Sequence, residues 1–327
     1  MSVSRSRSAR AFAGGVGGSA ERKPRATFLG LVLALLILAA PARAGLIEGP
    51  RLAAIYDSIL SAEFNRAGAQ LLEACPPAPE GACKALGAVA LWWEILVTPS
   101  DRSLDDRFSK AVEDAIAVNA RWTDREPQSA DAWFFLAGSY APRVQWRVLR
   151  GARLAAARDG KKIKDALERA LQIDPMLYDA HFGIGLYHYY ADVAPAYAKV
   201  LRWLLFLPGG DRVKGLAEMI AARERGEIIR GEADFQLQQL YLWYEHRPDD
   251  AIALLESLDE RYPNNPIFLQ RIAEAEDVYM HDMDASARAW ETLRDRARDG
   301  RVYAADAIAA RAEEKLRAIA TRRVKLF

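Results

Sequence analysis

The chain has 327 residues, of which 51% are hydrophobic and 27% are charged, and its formal net charge is +1. This apolar content is sufficient for a packed interior, which excludes a disordered chain. Strand-favouring β-branched runs are scarce, and no Asn-Gly or Asp-Gly hairpin lies between alternating apolar segments. The sequence therefore predicts an all-α fold.

The first 44 residues differ in chemistry from the rest. Six basic residues between Arg5 and Arg25 precede an apolar stretch from Phe28 to Ala40, and Ala42-Arg43-Ala44 follows. This layout is typical of a secretory signal with cleavage before Gly45. The apolar core is shorter than the roughly 20 residues that span a bilayer, so an uncleaved membrane anchor is the weaker interpretation. We expect an exported protein, periplasmic or secreted.

Removal of the signal would change the charge balance, because residues 1–44 hold seven Lys or Arg and one acidic residue. The remaining chain has 38 basic and 43 acidic side chains, a formal charge of −5. A generic nucleic-acid binder would be basic instead. The composition of the mature chain therefore argues against nucleic acid as its partner.

Residues 45–100 predict an N-terminal helical pair, formed by Leu52 to Ala74 and Lys84 to Val97. Between them, Cys75 and Cys83 enclose a Pro-rich stretch. Two thiols with no His nearby cannot complete a tetrahedral zinc shell. In an oxidising compartment they favour a disulfide that clamps the turn between the two helices.

Residues 101–327 contain a recurring helical pattern. A first-helix pattern occurs as Trp133-x2-Leu136-Ala137-x2-Tyr140 and as His181-x2-Ile184-Gly185-x2-His188. A second-helix pattern closed by Pro occurs as Ile163-x3-Leu167-x2-Ala170-x4-Pro175 and as Ala251-x3-Leu255-x2-Leu258-x4-Pro263, and shorter matches begin at Gly215 and Ser286. Small residues let paired helices approach, large ones fill the space between them, and Pro ends the second helix.

On these motifs, residues from about 104 to 300 resemble the tetratricopeptide repeat superfamily. The resemblance implies a right-handed α-solenoid of antiparallel helix pairs, and the amphipathic stretch from Val302 to Ala320 would cap it. It also implies a concave surface formed by the first helix of each pair. The residues that would face this surface are Asp131, Phe134, Asp179, Phe182, Tyr189 and Tyr190. Such aromatics suit a protein or peptide partner, although some could instead fill space between helices.

Two longer segments depart from the repeat pattern. Arg143, Arg147 and Arg150 fall at i, i+4 and i+7 and predict a basic stripe. The stripe could attract an acidic peptide, an anionic lipid or a polyanionic glycan, or it could be a solvated face paired with acidic neighbours. The second segment, Val200 to Leu207, which we call the apolar insert, is apolar nearly all round, which is typical of a buried helix. Alternatively, Trp203 and Phe206 could be exposed as a partner or membrane-surface contact.

Motifs of catalysis are absent from the sequence. His181 and His188 lie seven residues apart, without the i, i+4 pair and general base of a zinc protease. No phosphate loop, nucleophile elbow or Cys/His cluster occurs, so we expect no cofactor, no metal and no enzymatic activity. The predicted function is a non-catalytic extracytoplasmic scaffold for a protein or peptide. The alternative is a carrier or sensor of an anionic or amphiphilic ligand, using the basic stripe and the apolar insert.

Overall fold

A computed structural model of the chain describes residues 45–193 and 209–326, with side chains as far as residue 324. The predicted signal segment and the apolar insert lie outside these residues. The described residues belong to one compact unit. They form thirteen helices and no strand, which confirms the all-α prediction.

The first three helices are α1 (Gly49–Leu60), α2 (Phe64–Ala74) and α3 (Glu80–Val97). The prediction of one continuous helix from Leu52 to Ala74 is therefore wrong. The chain reverses at Ala62, whose positive φ of 57° is incompatible with a continuing right-handed helix. Cys75 follows the end of α2 and is bonded to Cys83 in the first turn of α3, as expected.

Ten further helices follow. They are α4 (Asp105–Arg125), α5 (Ala130–Leu149), α6 (Arg153–Ile173), α7 (Tyr178–Val193), α8 (Arg212–Arg225), α9 (Arg230–Trp243), α10 (Pro248–Arg261), α11 (Pro266–Val278), α12 (Met283–Arg298) and α13 (Ala305–Leu326). Each packs against the next one described. The predicted endings are confirmed, since α6 stops two residues before Pro175 and α10 two residues before Pro263.

Side-chain caps fix where four of these helices begin, among them α5 and α8. The Ser129 hydroxyl accepts a hydrogen bond from the Ala132 amide (3.2 Å) at the start of α5. The Asp211 carboxylate accepts one from the Lys214 amide (2.9 Å) at the start of α8. Both caps satisfy amides that lack an intrahelical partner.

Helices α7 and α8 cross at two glycines. A Cβ at Gly185 would lie 2.6 Å from the Gly215 carbonyl oxygen, and a Cβ at Gly215 would lie 2.5 Å from the Gly185 carbonyl oxygen. Real Cβ atoms do not approach backbone so closely, so both positions require glycine at this separation of the helices. Gly185 and Gly215, which are small-residue positions of the predicted pattern, are thus where the backbones of α7 and α8 lie close together.

Helices α1 and α3 pack against the later part of the chain. The Tyr56 hydroxyl donates to Glu232 Oε2 in α9 (3.0 Å), and Asn265 Nδ2, just before α11, donates to the Leu60 carbonyl (2.8 Å). The Trp93 ring of α3 lies 4.9 Å from the ring of Phe235 in α9 and 6.0 Å from that of Phe268 in α11. The N-terminal helices therefore cover α9 and α11, which the resemblance places among the first helices of their pairs.

Candidate functional site

The aromatic residues expected on the concave surface are mostly in the interior. Phe134 is buried, with its ring centroid 5.1 Å from that of Phe135, and Phe182 is also buried. Tyr189 is completely enclosed and its hydroxyl donates to Glu245, which also accepts a bond from Arg212 Nε (2.7 Å). The expectation that these rings face a partner is therefore wrong, because packing between helices already buries them.

Tyr190 is the least enclosed of the predicted aromatic set. Its ring packs edge-on against Tyr189 and Tyr244, with centroid distances of 5.9 and 5.8 Å. Burial raises the pKa of the Tyr190 hydroxyl most, and the nearby Tyr244 raises it further. Tyr190 is thus half-buried in a tyrosine cluster, where Tyr189 and Tyr244 cover part of its ring.

Asp179 has a structural role that its position in the repeat did not predict. Its side chain is buried, and its carboxylate accepts hydrogen bonds from the amides of Glu227 (2.8 Å), Ile228 (2.8 Å) and Ile229 (2.9 Å). Burial raises the pKa of this carboxyl, and the three amides partly oppose that rise. These contacts hold the turn that leads into α9. The expectation that Asp179 faces a partner is therefore wrong.

Asp131 is also engaged within the chain. Its Oδ2 accepts a hydrogen bond from the Ile47 amide (2.8 Å), while Glu227 Oε2 accepts one from the Leu46 amide (3.3 Å). Burial raises the pKa of Glu227, and the neighbouring carboxylates of Asp179 and Asp131 raise it further. Asp131 of α5 and Glu227 of the turn before α9 therefore both bind the segment that precedes α1, and Asp179 of α7 lies beside Glu227.

The predicted basic stripe is internally paired. Arg143 donates twice to the Asp159 carboxylate (2.8 and 2.9 Å), and Arg147 donates to the same group (2.5 Å). Arg150 donates to Asp105 (2.9 and 2.8 Å), and also to the carbonyls of Pro99 and Asp101. The stripe joins α5 to α6 and α4, so these guanidinium groups are not a free anion-binding surface.

The two histidines of α7 face the surface rather than a metal centre. His188 Nδ1 lies 2.6 Å from Glu218 Oε2, and His181 Nε2 lies 3.0 Å from the Pro175 carbonyl oxygen. Both border a shallow depression of about 350 Å³, together with Lys214. Within the described ranges, no three His, Cys, Asp or Glu side chains are grouped as a metal site would require.

An exposed apolar surface lies where α5 meets α6. Val148, Leu149 and Leu154 have exposed fractions of 55%, 39% and 49%. Arg153 and Arg158 are exposed beside them, and neither forms an ion pair with another described residue. We call these five residues the α5–α6 tip. It combines solvent-exposed aliphatic side chains with cations that have no acidic partner there.

A second exposed apolar group lies at the end of α11. Val278, Tyr279 and Met280 are consecutive, and each is exposed. Tyr and Met are enriched at protein interfaces. The periodicity of α11 could not identify this group, because the exposed run continues past the last helical residue.

No protein-family model matches the chain, and a comparison with curated proteins found none similar to it. Over the two described ranges, none of the helices combines the length and apolar character needed to cross a bilayer. Sequence reasoning missed both the role of Glu227 and the α5–α6 tip. One sequence feature could have indicated the tip, because Val148, Leu149 and Leu154 flank Gly151. This glycine is a turn residue with a positive φ of 82°.

Proposed function

We propose that this chain is an exported, non-catalytic interaction protein built from helical hairpins of the tetratricopeptide kind. The sequence motifs, the Pro-terminated helices α6 and α10 and the glycine crossing of α7 and α8 support this architecture. The bonded Cys75 and Cys83 support an oxidising compartment. We do not propose the concave surface as the partner site, because α1 and α3 cover α9 and α11, two of the first helices expected to form it.

The proposed ligand is an anionic lipid surface, which contacts the α5–α6 tip. The observation that carries this proposal is the exposure of three aliphatic side chains beside Arg153 and Arg158. Aliphatic side chains enter the boundary between headgroups and acyl chains, while arginines remain among the anionic headgroups. This chemistry supports the tip, rather than the basic stripe, as the proposed contact for an amphiphilic ligand.

The expected affinity is weak. Each arginine near an anionic leaflet contributes about 1 kcal/mol, and partial burial of each aliphatic side chain contributes about 1 kcal/mol. The total of about 5 kcal/mol corresponds to a dissociation constant on the order of 0.2 mM in accessible lipid. Such binding is measurable with excess vesicles and decreases with added salt.

The test is sedimentation of the exported protein with phosphatidylglycerol or phosphatidylcholine vesicles. We expect binding to phosphatidylglycerol only, with at least a fivefold loss in Arg153→Gln/Arg158→Gln and in Val148→Ser/Leu154→Ser. The matched control is Arg288→Gln/Lys315→Gln, which changes the net charge equally at distant exposed cations. Equal binding by the tip variants and the control would refute the proposal.

A protein partner is the second candidate, and the exposed Val278-Tyr279-Met280 group favours it. A photo-crosslinking residue at Tyr279 should capture a defined partner in cells that export the protein. The control position is Leu72 in α2, which is 84% exposed but has no other large exposed hydrophobic residue beside it in sequence. The same capture pattern at both positions would remove this candidate.

A further inference from the structure

The segment that begins the described chain is held by acidic side chains from distant helices. The Leu46 amide donates to Glu227 Oε2 (3.3 Å) and the Ile47 amide donates to Asp131 Oδ2 (2.8 Å). Asp131 lies 84 residues and Glu227 181 residues further along the chain. We call Asp131, Asp179 and Glu227 the acidic seat. Within it, Asp131 and Glu227 bind the backbone of residues 46 and 47, and Asp179 lies beside Glu227.

Gly45 and Gly49 both lie close to Glu227. A Cβ on Gly45 would lie 1.9 Å from Glu227 Oε1, and one on Gly49 would lie 1.7 Å from Glu227 Oε2. Standard bond lengths then place the Gly45 nitrogen at most about 5 Å from Glu227 Oε1. Gly45 also has a φ of +123°, which favours glycine. The backbone conformation therefore favours glycine at the position next to the predicted cleavage site, whereas the Glu227 carboxylate, as the end of a flexible side chain, could move away from a Cβ.

The charge around Glu227 would favour a cation on this nitrogen. The charged groups that act most strongly on Glu227 are Asp179 and Asp131, and both are negative. On the same segment as Gly45, Glu48 is paired with Arg51 (3.5 Å). A positive charge at residue 45 would therefore relieve repulsion among the three carboxylates.

We propose that the acidic seat binds the α-ammonium group of Gly45 after the signal segment is removed. This inference rests on the proposed export and on cleavage before Gly45. Hydrolysis of the Ala44–Gly45 bond by a signal peptidase consumes one water and leaves a carboxylate on Ala44 and an amine on Gly45. The amine takes up a proton at neutral pH. The uncut chain has a neutral amide at this position, so processing adds a positive charge close to Glu227.

The new amine has two consequences for the mature protein. It anchors α1 to α5 and to the turn before α9, in addition to the two backbone hydrogen bonds already present. It also reacts more slowly with acylating reagents, because an amine held as ammonium by carboxylates is not nucleophilic. A rise of half a pKa unit corresponds to about a threefold decrease in the reactive fraction.

The experiment uses the full chain, exported and then purified, and begins with mass determination of its N-terminus. We expect Gly45 as the first residue. A different N-terminal residue, or an intact signal, would overturn this inference, whereas the vesicle-binding test of the α5–α6 tip would keep its own separate outcome.

The processed protein is then treated with a small acylating reagent, and modification of the Gly45 amine is followed by mass spectrometry. We expect at least threefold faster acylation in Glu227→Gln than in the unsubstituted protein. The matched control is Glu73→Gln, which removes an exposed carboxylate of α2 and should leave the rate unchanged. Equal rates in the unsubstituted protein and Glu227→Gln would overturn the proposal, because the carboxylate would then have no influence on the amine.

Discussion

Replacement of Asp179 by Ala tests whether this residue is structural or contacts a partner. The substitution removes the acceptor of three backbone amides, and the one from Ile228 is in a buried hydrogen bond. A buried amide without a partner costs about 1–3 kcal/mol, and hydrogen bonds to a charged acceptor contribute about 1.5–3 kcal/mol each.

The expected total is smaller than the sum of these costs. The Glu227 and Ile229 amides are only partly buried, so water can replace part of what they lose. Loss of the buried carboxylate also relieves its repulsion with Glu227. We therefore expect destabilisation of about 3 kcal/mol, which for a domain of this size lowers the Tm by about 5 °C.

The assay is urea unfolding followed by circular dichroism, with Asp174→Ala as the matched control. Asp174 accepts a hydrogen bond from the Met176 amide (2.9 Å) at an exposed turn, so water can replace that acceptor. We expect the control to cost less than about 1 kcal/mol. Equal stabilities of the two variants would refute the reasoning that burial makes the Asp179 contacts costly to lose.

Three other predictions concern the interior. Burial raises the pKa of Glu232 above its ordinary value, so its contribution to stability is complete below that ordinary value and is lost as pH rises through the folded pKa. Glu232→Gln should therefore be more stable than the unsubstituted protein at pH 8 but not at pH 4, as measured by urea unfolding. Gly185→Ala should destabilise the protein by more than about 2 kcal/mol, whereas Gly138→Ala, where a Cβ meets nothing within 4 Å, should stabilise it by about 0.5–1 kcal/mol; similar thermal shifts would contradict the close-approach argument. Replacing Cys75 and Cys83 by Ser should cost about 2–3 kcal/mol of unfolding free energy, and a reductant should lower the Tm of the unsubstituted protein but not that of this variant.

Local sequence patterns predicted the helices because their causes act within a few residues. Ser129 and Asp211 cap helices through amides three residues away, and Pro175 ends α6 by steric exclusion. Gly185 was identified through the spacing of small residues within one helix, and the structure shows the backbone that requires it. The break at Ala62 was missed because a non-Gly residue with positive φ leaves little trace in the sequence.

The binding surface could not be predicted in the same way, because periodicity marks the apolar face of a helix but does not identify what covers it. The contacts that cover α9 and α11 join residues 176 and 205 positions apart. The charge on Arg143 and Arg147 was visible in the sequence, but their shared acceptor, Asp159, lies on the next helix. Sequence alone thus determined an all-helical chain with a bonded cysteine pair, whereas the tertiary structure decided which faces are enclosed, since enclosure depends on contacts between distant segments.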